Sequence, residues 1–251
     1  MKTLTSARNP LLKEVRKAIL RGSLTEHGYC VAEGFHLLEE ALRSGCAIGE
    51  VIAVESAQTT VEGRFGDLPN LALLPDALFR EIAATETSQG VIALVKPPEW
   101  SNQQIFAGPA LVAILDGIQD PGNAGAILRA AEAFGASGVV FLKGSVNPYN
   151  PKALRASAGS VFRVPLALLE ETQLPAHLEL FALMPGEGEP LSECRLEGNC
   201  GVVIGNEGRG VSERLRQRST PVRIPTSGVE SLNAAMAATV VLYEARRQRG
   251  T

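Results

Sequence analysis

The chain has 251 residues, 45% of them hydrophobic and 20% charged, with 24 basic and 27 acidic side chains and a formal net charge of −3. That balance excludes a disordered chain or a simple polycation, and the length suits two domains that each bury a core. The longest clean apolar run, residues 110–115, is far short of the roughly 20 residues that a bilayer crossing needs, and residues 1–9 have no signal-peptide character, so a cytoplasmic protein without a membrane partner is expected.

Leu11, Leu12, Val15, Ala18 and Ile19 recur at helical spacing and predict a helix over 9–20, and the pattern repeats over 33–43. Runs at 29–32, 50–54, 71–74 and 90–95 read as strands, alternating with helices such as 76–83 in a small α/β unit. Residues 1–25 carry six basic and one acidic side chain, residues 26–105 four basic and twelve acidic, and the remainder fourteen of each. A basic arm presenting Arg8, Lys13, Arg16 and Lys17 fits phosphate contact, although a solvated amphipathic helix would carry the same pattern. The Pro97-Pro98 pair, the single Trp100 and the change in charge balance place a linker at 99–107, between domains 1–98 and 108–251.

The second half begins with a strand at 110–115, a turn-rich loop, a helix over 124–134 and a strand at 138–142, which make one βαβ unit. Strands at 178–184, 200–204 and 221–224 alternate with helices near 152–158 and 211–218, and a helix over 231–247 closes the chain. This alternation predicts an α/β fold with an open parallel sheet covered on both faces, its ligands at the carboxyl ends of the strands. Cys30, Cys46, Cys194 and Cys200 show no C-x-x-C spacing, and His27, His36 and His177 are scattered, so neither a metal site nor a disulfide framework is expected.

Three loops that follow predicted strands have unusual compositions. The first, Asp116 to Gly125, offers glycines for close backbone approach, Asn123 as a helix cap and Arg129 further along the helix. A capped helix with a surface arginine explains it equally well. The second, Gly205-Asn-Glu-Gly-Arg-Gly210, suggests backbone wrapped against a ligand, yet it lacks the Lys-Ser/Thr of a P-loop and fails the G-x-G-x-x-G spacing. A plain glycine turn with a solvated Glu207 is its alternative. The third, Ile224 to Asn233, enters the small-residue helix of Ala234, Ala235, Ala237 and Ala238, with Ser231 or Asn233 as a cap whose helix terminus binds a polar ligand or none.

Taken together and in order, the loops resemble the SpoU or TrmH family of RNA ribose 2′-O-methyltransferases, in the SPOUT class. The motif N-x-G-x-x-x-R-x-A stands as Asn123 to Ala131, G-x-E-G-x-G as Gly205 to Gly210, and I-P-x-x-G followed by S-L-N as Ile224 to Gly228 and Ser231 to Asn233. Thr226 and Ala234 depart from the Met and Val of many relatives. The resemblance covers about 108–248 strongly; the stretches 6–13 and 31–41 are similar, more weakly, to the small α/β RNA-binding domain that many members carry.

The resemblance implies a C-terminal trefoil-knotted parallel-sheet methyltransferase domain behind a small α/β substrate-binding domain. It implies S-adenosylmethionine as methyl donor without a metal, held near Met184, Gly205, Ile224, Leu232 and Asn233. It also implies an RNA partner, ribosomal rather than transfer RNA, and a homodimer built through the knotted domain with the small residues of the last helix near the interface. Arg129 is placed at the reacting hydroxyl, with Asn123, Glu207, Ser231 and Asn233 orienting it, the ribose and the donor. A guanidinium is a poor proton acceptor, so phosphate binding and stabilisation of the developing oxyanion suit Arg129 better than base catalysis. Two other readings remain open here: an RNA-binding protein that kept the fold without catalysis, against which the intact Arg129, Glu207 and Asn233 set argues, and a dinucleotide-dependent enzyme on an ordinary open sheet, against which the missing fingerprint argues.

Overall fold

Asn9 starts the first helix, α1 (Pro10–Arg21): its side chain accepts the Leu11 amide at 2.9 Å, and Pro10, which has no amide hydrogen to leave unpaired, takes the first helical position. Gly22, in the left-handed region at φ 60°, ends it. Leu12, Val15 and Ala18 form the buried stripe that packs on a five-stranded sheet. Its strands are β1 (Lys2–Thr3), β2 (Cys30–Glu33), β3 (Ile48–Val54), β4 (Leu71–Leu74) and β5 (Val91–Val95), in the order β1-β4-β3-β5-β2. β4 runs parallel to β1 and β3, whereas β5 is antiparallel to β3 and β2. Helices α2 (Phe35–Arg43), α3 (Gln58–Phe65) and α4 (Asp76–Arg80) complete this part. Composition gave no warning of α3, because Val61 is its only buried residue and the apolar period is almost absent.

The computed structural model describes residues 2–66, 68, 70–85 and 87–250. The chain divides into two units: one runs to Pro98 and takes in Tyr149–Phe162, and the other comprises Glu99–Pro148 and the chain from Arg163 onward. The stretch expected to be a linker is partly ordered as α5 (Asn102–Phe106), started by a reciprocal cap between Ser101 and Gln104 and anchored by the buried Ile105. After it come β6 (Leu111–Asp116), α6 (Pro121–Ala133) and β7 (Gly138–Leu142). Then α7 (Pro151–Ser157) packs on β2, so residues 149–162 fall in the first unit although they lie inside the sequence range assigned to the second domain. Nothing in the local composition of α7 records which sheet it joins.

The second unit continues with β8 (Leu166–Leu169), β9 (Glu179–Leu183), β10 (Glu189–Pro190), β11 (Cys200–Gly205), α8 (Glu213–Arg218), β12 (Thr220–Arg223) and α9 (Ala234–Arg249). Its seven strands run β10-β12-β9-β11-β6-β7-β8, every pair parallel. β6 and β11 lie side by side near the middle of the sheet, and their near-continuous apolar runs are buried, as strands covered on both faces require. α9 packs on α6, with Ala235 and Ala238 buried, while Ala234 and Ala237 stay half-buried.

Arg249, at the end of α9, donates to the carbonyl oxygens of Leu196 at 2.9 Å, Pro109 at 2.5 Å, Ala110 at 3.1 Å and Gly198 at 2.5 Å. It thereby ties the helix to the chain entering β6 and β11. Arg249→Ala leaves these carbonyls without their charged donor and is expected to cost about 2–4 kcal/mol, measured as a lower midpoint in urea unfolding.

Candidate active site

The three loops converge at the carboxyl ends of β6, β11 and β12, and a network of hydrogen bonds joins them. α6 is capped by Asp120, not by Asn123 as the sequence suggested: the Asp120 carboxylate accepts the Asn123 amide at 2.9 Å, behind which Pro121 opens the helix. The cap position is set one turn earlier: Asp120 has the extended backbone a cap needs, and Asn123 already lies inside the helix. Asn123, released from capping, uses its side chain in both directions. Its Nδ2 donates to Glu207 at 2.9 Å, and its Oδ1 accepts Nδ2 of Asn233 at 3.0 Å. Asn233 in turn caps α9, accepting the Ala235 amide at 2.9 Å and the Met236 amide at 3.3 Å.

Glu207 also accepts the amides of Gln119 and Asp120, each at 3.3 Å. Partial burial pushes its carboxyl group up, but the hydrogen bonds from Asn123 and the backbone outweigh that and hold it below the ordinary carboxylate range. Asn206 supports the same loop. Its Nδ2 donates to the Gly117 carbonyl at 2.8 Å, while its Oδ1 accepts the amides of Gly208 and Arg209 at 3.0 Å. Sequence reasoning passed over Asn206, although an Asn before Glu-Gly is a recognisable turn-forming signal. Gly205 is obligatory: a Cβ there would lie 2.3 Å from backbone atoms of Gly210 and Val211, where the loop folds back on itself.

Beside the network lies a cleft of about 580 Å³. Met184, Gly205, Ile224, Leu232 and Asn233, the residues expected to hold a donor, all line it, together with Glu207 and Ser231. Its floor is apolar and its rim carries Glu230 and an Arg216–Glu187 ion pair at 3.3 Å. Thr226 donates to the Val229 carbonyl at 2.8 Å and shapes the loop before α9. Arg129 is outside the cleft lining, exposed on α6, with no hydrogen bond or ion pair to a described residue. In the first unit, Arg8 and Lys13 are exposed, whereas Lys17 is paired with Glu26 and Arg16 with Glu81 at 2.5 Å. The acidic segment therefore neutralises part of the basic arm. Among the described residues, no group of three or more His, Cys, Asp or Glu side chains is placed to hold a metal ion, and no helix is long and apolar enough to cross a membrane.

An open parallel sheet with a cleft at the carboxyl ends of its strands defines a ligand-binding α/β protein. The profile of the SpoU rRNA methylase family matches residues 110–243, and that of an MRM3-like substrate binding domain matches residues 9–93. The chain belongs to the SpoU rRNA methylase family. It is 34% identical to an uncharacterized tRNA/rRNA methyltransferase of Synechocystis, over 98% of this chain and 94% of that protein. It is 29% identical to the 23S rRNA (guanosine(2553)-2′-O)-methyltransferase of Bacillus subtilis, over 98% of this chain and 100% of the relative. Its fold matches the crystal structure of the SpoU methyltransferase AviRb from Streptomyces viridochromogenes, solved with AdoMet, at a TM-score of 0.84 and 27% identity, covering 97% of this chain and 99% of that one.

Because the folded protein holds Glu207 below its ordinary pKa, the carboxylate stabilises the fold at neutral pH, and this contribution is lost as the pH falls through the depressed value. Glu207→Gln, which does not titrate, is expected to flatten that part of the acid dependence. Melting temperatures of both proteins between about pH 6 and pH 3 measure it.

Proposed function

We propose that this protein transfers the methyl group of S-adenosylmethionine to a ribose 2′-hydroxyl of RNA, with ribosomal RNA as the substrate class. The observation that carries this reading is the junction of Asn123, Glu207 and Asn233 beside a cleft whose size lies within the roughly 300–1,000 Å³ usual for small-molecule sites. The residues suit the donor: Met184, Ile224 and Leu232 offer apolar surface for an adenine, Gly205 allows close backbone approach, and Glu230 places an acid near a cationic ligand. The Bacillus subtilis relative supports a ribosomal substrate.

When bound, the donor supplies an electrophilic methyl group on a sulfonium. The ribose hydroxyl must then approach in line; its oxygen forms the new bond to carbon as the carbon–sulfur bond breaks, and its proton passes to water. Negative charge develops on that oxygen. In this reading Arg129, which has no described partner, stabilises this charge or the adjoining phosphate. Asn123, Glu207 and Asn233 hold the loops in register, and Ser231 helps orient the ribose. Arg8 and Lys13 contribute phosphate contacts in the first unit, and Arg16 and Lys17 do so only by giving up Glu81 and Glu26. Residues 224–231 and α9 form the knotted segment of the class, a reading supported by the position of β12 between β9 and β10, both of which precede it in the chain.

A homodimer through the second unit is part of the proposal. Met236, Val240 and Tyr243 are 58%, 38% and 55% exposed and fall on one stripe of α9, an apolar face that a second copy would cover.

Arg129→Ala is expected to leave calorimetric binding of S-adenosylmethionine unchanged, in the presence of a chelator as well, while lowering methyl incorporation into ribosomal RNA by about 10²-fold or more. Loss of donor binding in that variant would place Arg129 in the donor pocket instead. For the assembly, light scattering at micromolar concentration should give twice the chain mass for the natural sequence and a single chain mass for Val240→Glu.

A further inference from the structure

The first unit contains a second recess, of about 270 Å³, where β2 turns into α2. Gly34 makes the turn at φ 102°, and a Cβ there would lie 3.0 Å from Gln89 Oε1, which accepts the Phe35 amide at 2.9 Å. No side chain caps the first turn of α2 beyond this contact from Gln89. Glu33, almost fully buried, has both carboxylate oxygens engaged, one by the Ala84 amide at 2.8 Å and the other by the Thr85 hydroxyl at 2.6 Å. Arg155, carried in by α7, completes the wall. Its Nη1 lies 3.9 Å from Glu33 Oε2, close enough for charge attraction but too far for a hydrogen bond, and it has no hydrogen-bond partner although it is shielded from water.

About a third of the Arg155 side chain stays exposed along the recess, and beyond the Glu33 ion pair none of its donors meets an acceptor among the described residues, so the guanidinium is free to take an anion there. The groups gathered here suit an oxyanion: a planar cation with unused donors, the hydroxyl of Thr87, the positive end of α2, and His36 at the exposed edge. Among the described residues that line it, Glu33 is the one opposing charge, and its two oxygens are already bonded with Arg155 beside it. We infer that this recess is a phosphate subsite that holds the RNA backbone on the first unit, with Arg155 as its principal contact. This rests on the reading of RNA as substrate. The subsite is distinct from the basic arm of α1, because neither Arg155 nor His36 belongs to that helix.

The test is binding of an in vitro 23S ribosomal RNA transcript across a salt series, together with calorimetry of S-adenosylmethionine as a check on the second unit. Arg155→Ala should weaken RNA binding about tenfold and lower the slope of log affinity against log salt by about one unit. Arg155→Lys should keep the slope but lose part of the affinity, since an ammonium cannot replace a planar fork. His36→Glu puts an acid in the first turn of α2, where it favours the helix, so weaker RNA binding at an unchanged melting temperature cannot come from unfolding. Donor binding should be unchanged in all three. Natural-strength RNA binding in both Arg155→Ala and His36→Glu would overturn the subsite alone; so would weakened binding confined to Arg155→Ala and accompanied by lost donor affinity, which would mark a folding defect. Failure of the natural sequence to bind the transcript would overturn the RNA reading and the subsite together.

Discussion

An ionised carboxylate stripped of part of its water must find donors, and in this protein Glu207 finds three of them across the cleft's edge, in and after the first loop. The amides of Gln119 and Asp120 and the side chain of Asn123 satisfy it. Asn123 then passes the constraint on, because an amide side chain both donates and accepts, and its oxygen fixes the residue that caps α9. One carboxylate therefore sets the relation of three loops that are far apart in sequence, and with it the wall of the cleft. Replacing the middle member by an acid of the same shape would set two acceptors against each other, so the position demands an amide and not merely a polar residue.

The placement of this network follows from sheet physics. In an all-parallel sheet every crossover returns the chain to the same edge, so the loops at the carboxyl ends of β6, β11 and β12 collect on one side. The helix that follows each loop points its amides back toward that side, which is why anionic and polar groups gather there. Gly205 permits the tightest of these turns, where any side chain would strike the returning backbone. A glycine-rich loop here reflects close packing of backbone on backbone as much as access for a ligand.

The first unit repeats the device on a smaller scale. A glutamate followed by a glycine ends β2, as a glutamate and a glycine follow β11, and in both places the carboxylate collects amides from a loop distant in sequence. The surroundings differ. Glu33 is buried and stands beside a cation, whereas Glu207 is exposed enough to remain charged through hydrogen bonds alone. The two sites thus differ in their charges: a recess lined by an arginine with unused donors, and a cleft that carries Glu207 and Glu230 beside an Arg216–Glu187 ion pair.

The period of apolar residues and the order of turn signals were enough to read from the sequence the alternation of strands and helices, the parallel sheet of the second unit and the three loops that meet beside its cleft. These features are local, set by side-chain spacing along a strand or helix and by residues that only certain turns accept. The tertiary structure decided what depends on contacts between distant segments: that Asp120 and not Asn123 caps α6, that Asn206 braces the second loop, that part of the basic arm is neutralised by Glu26 and Glu81, and that α7 belongs with β2. α3 and α5 escaped notice because each buries a single residue, too little for a period to register. Arg155 was equally invisible, since an arginine on a short helix looks the same whether it faces solvent or a buried glutamate. Only folding brings that glutamate to within 3.9 Å of it.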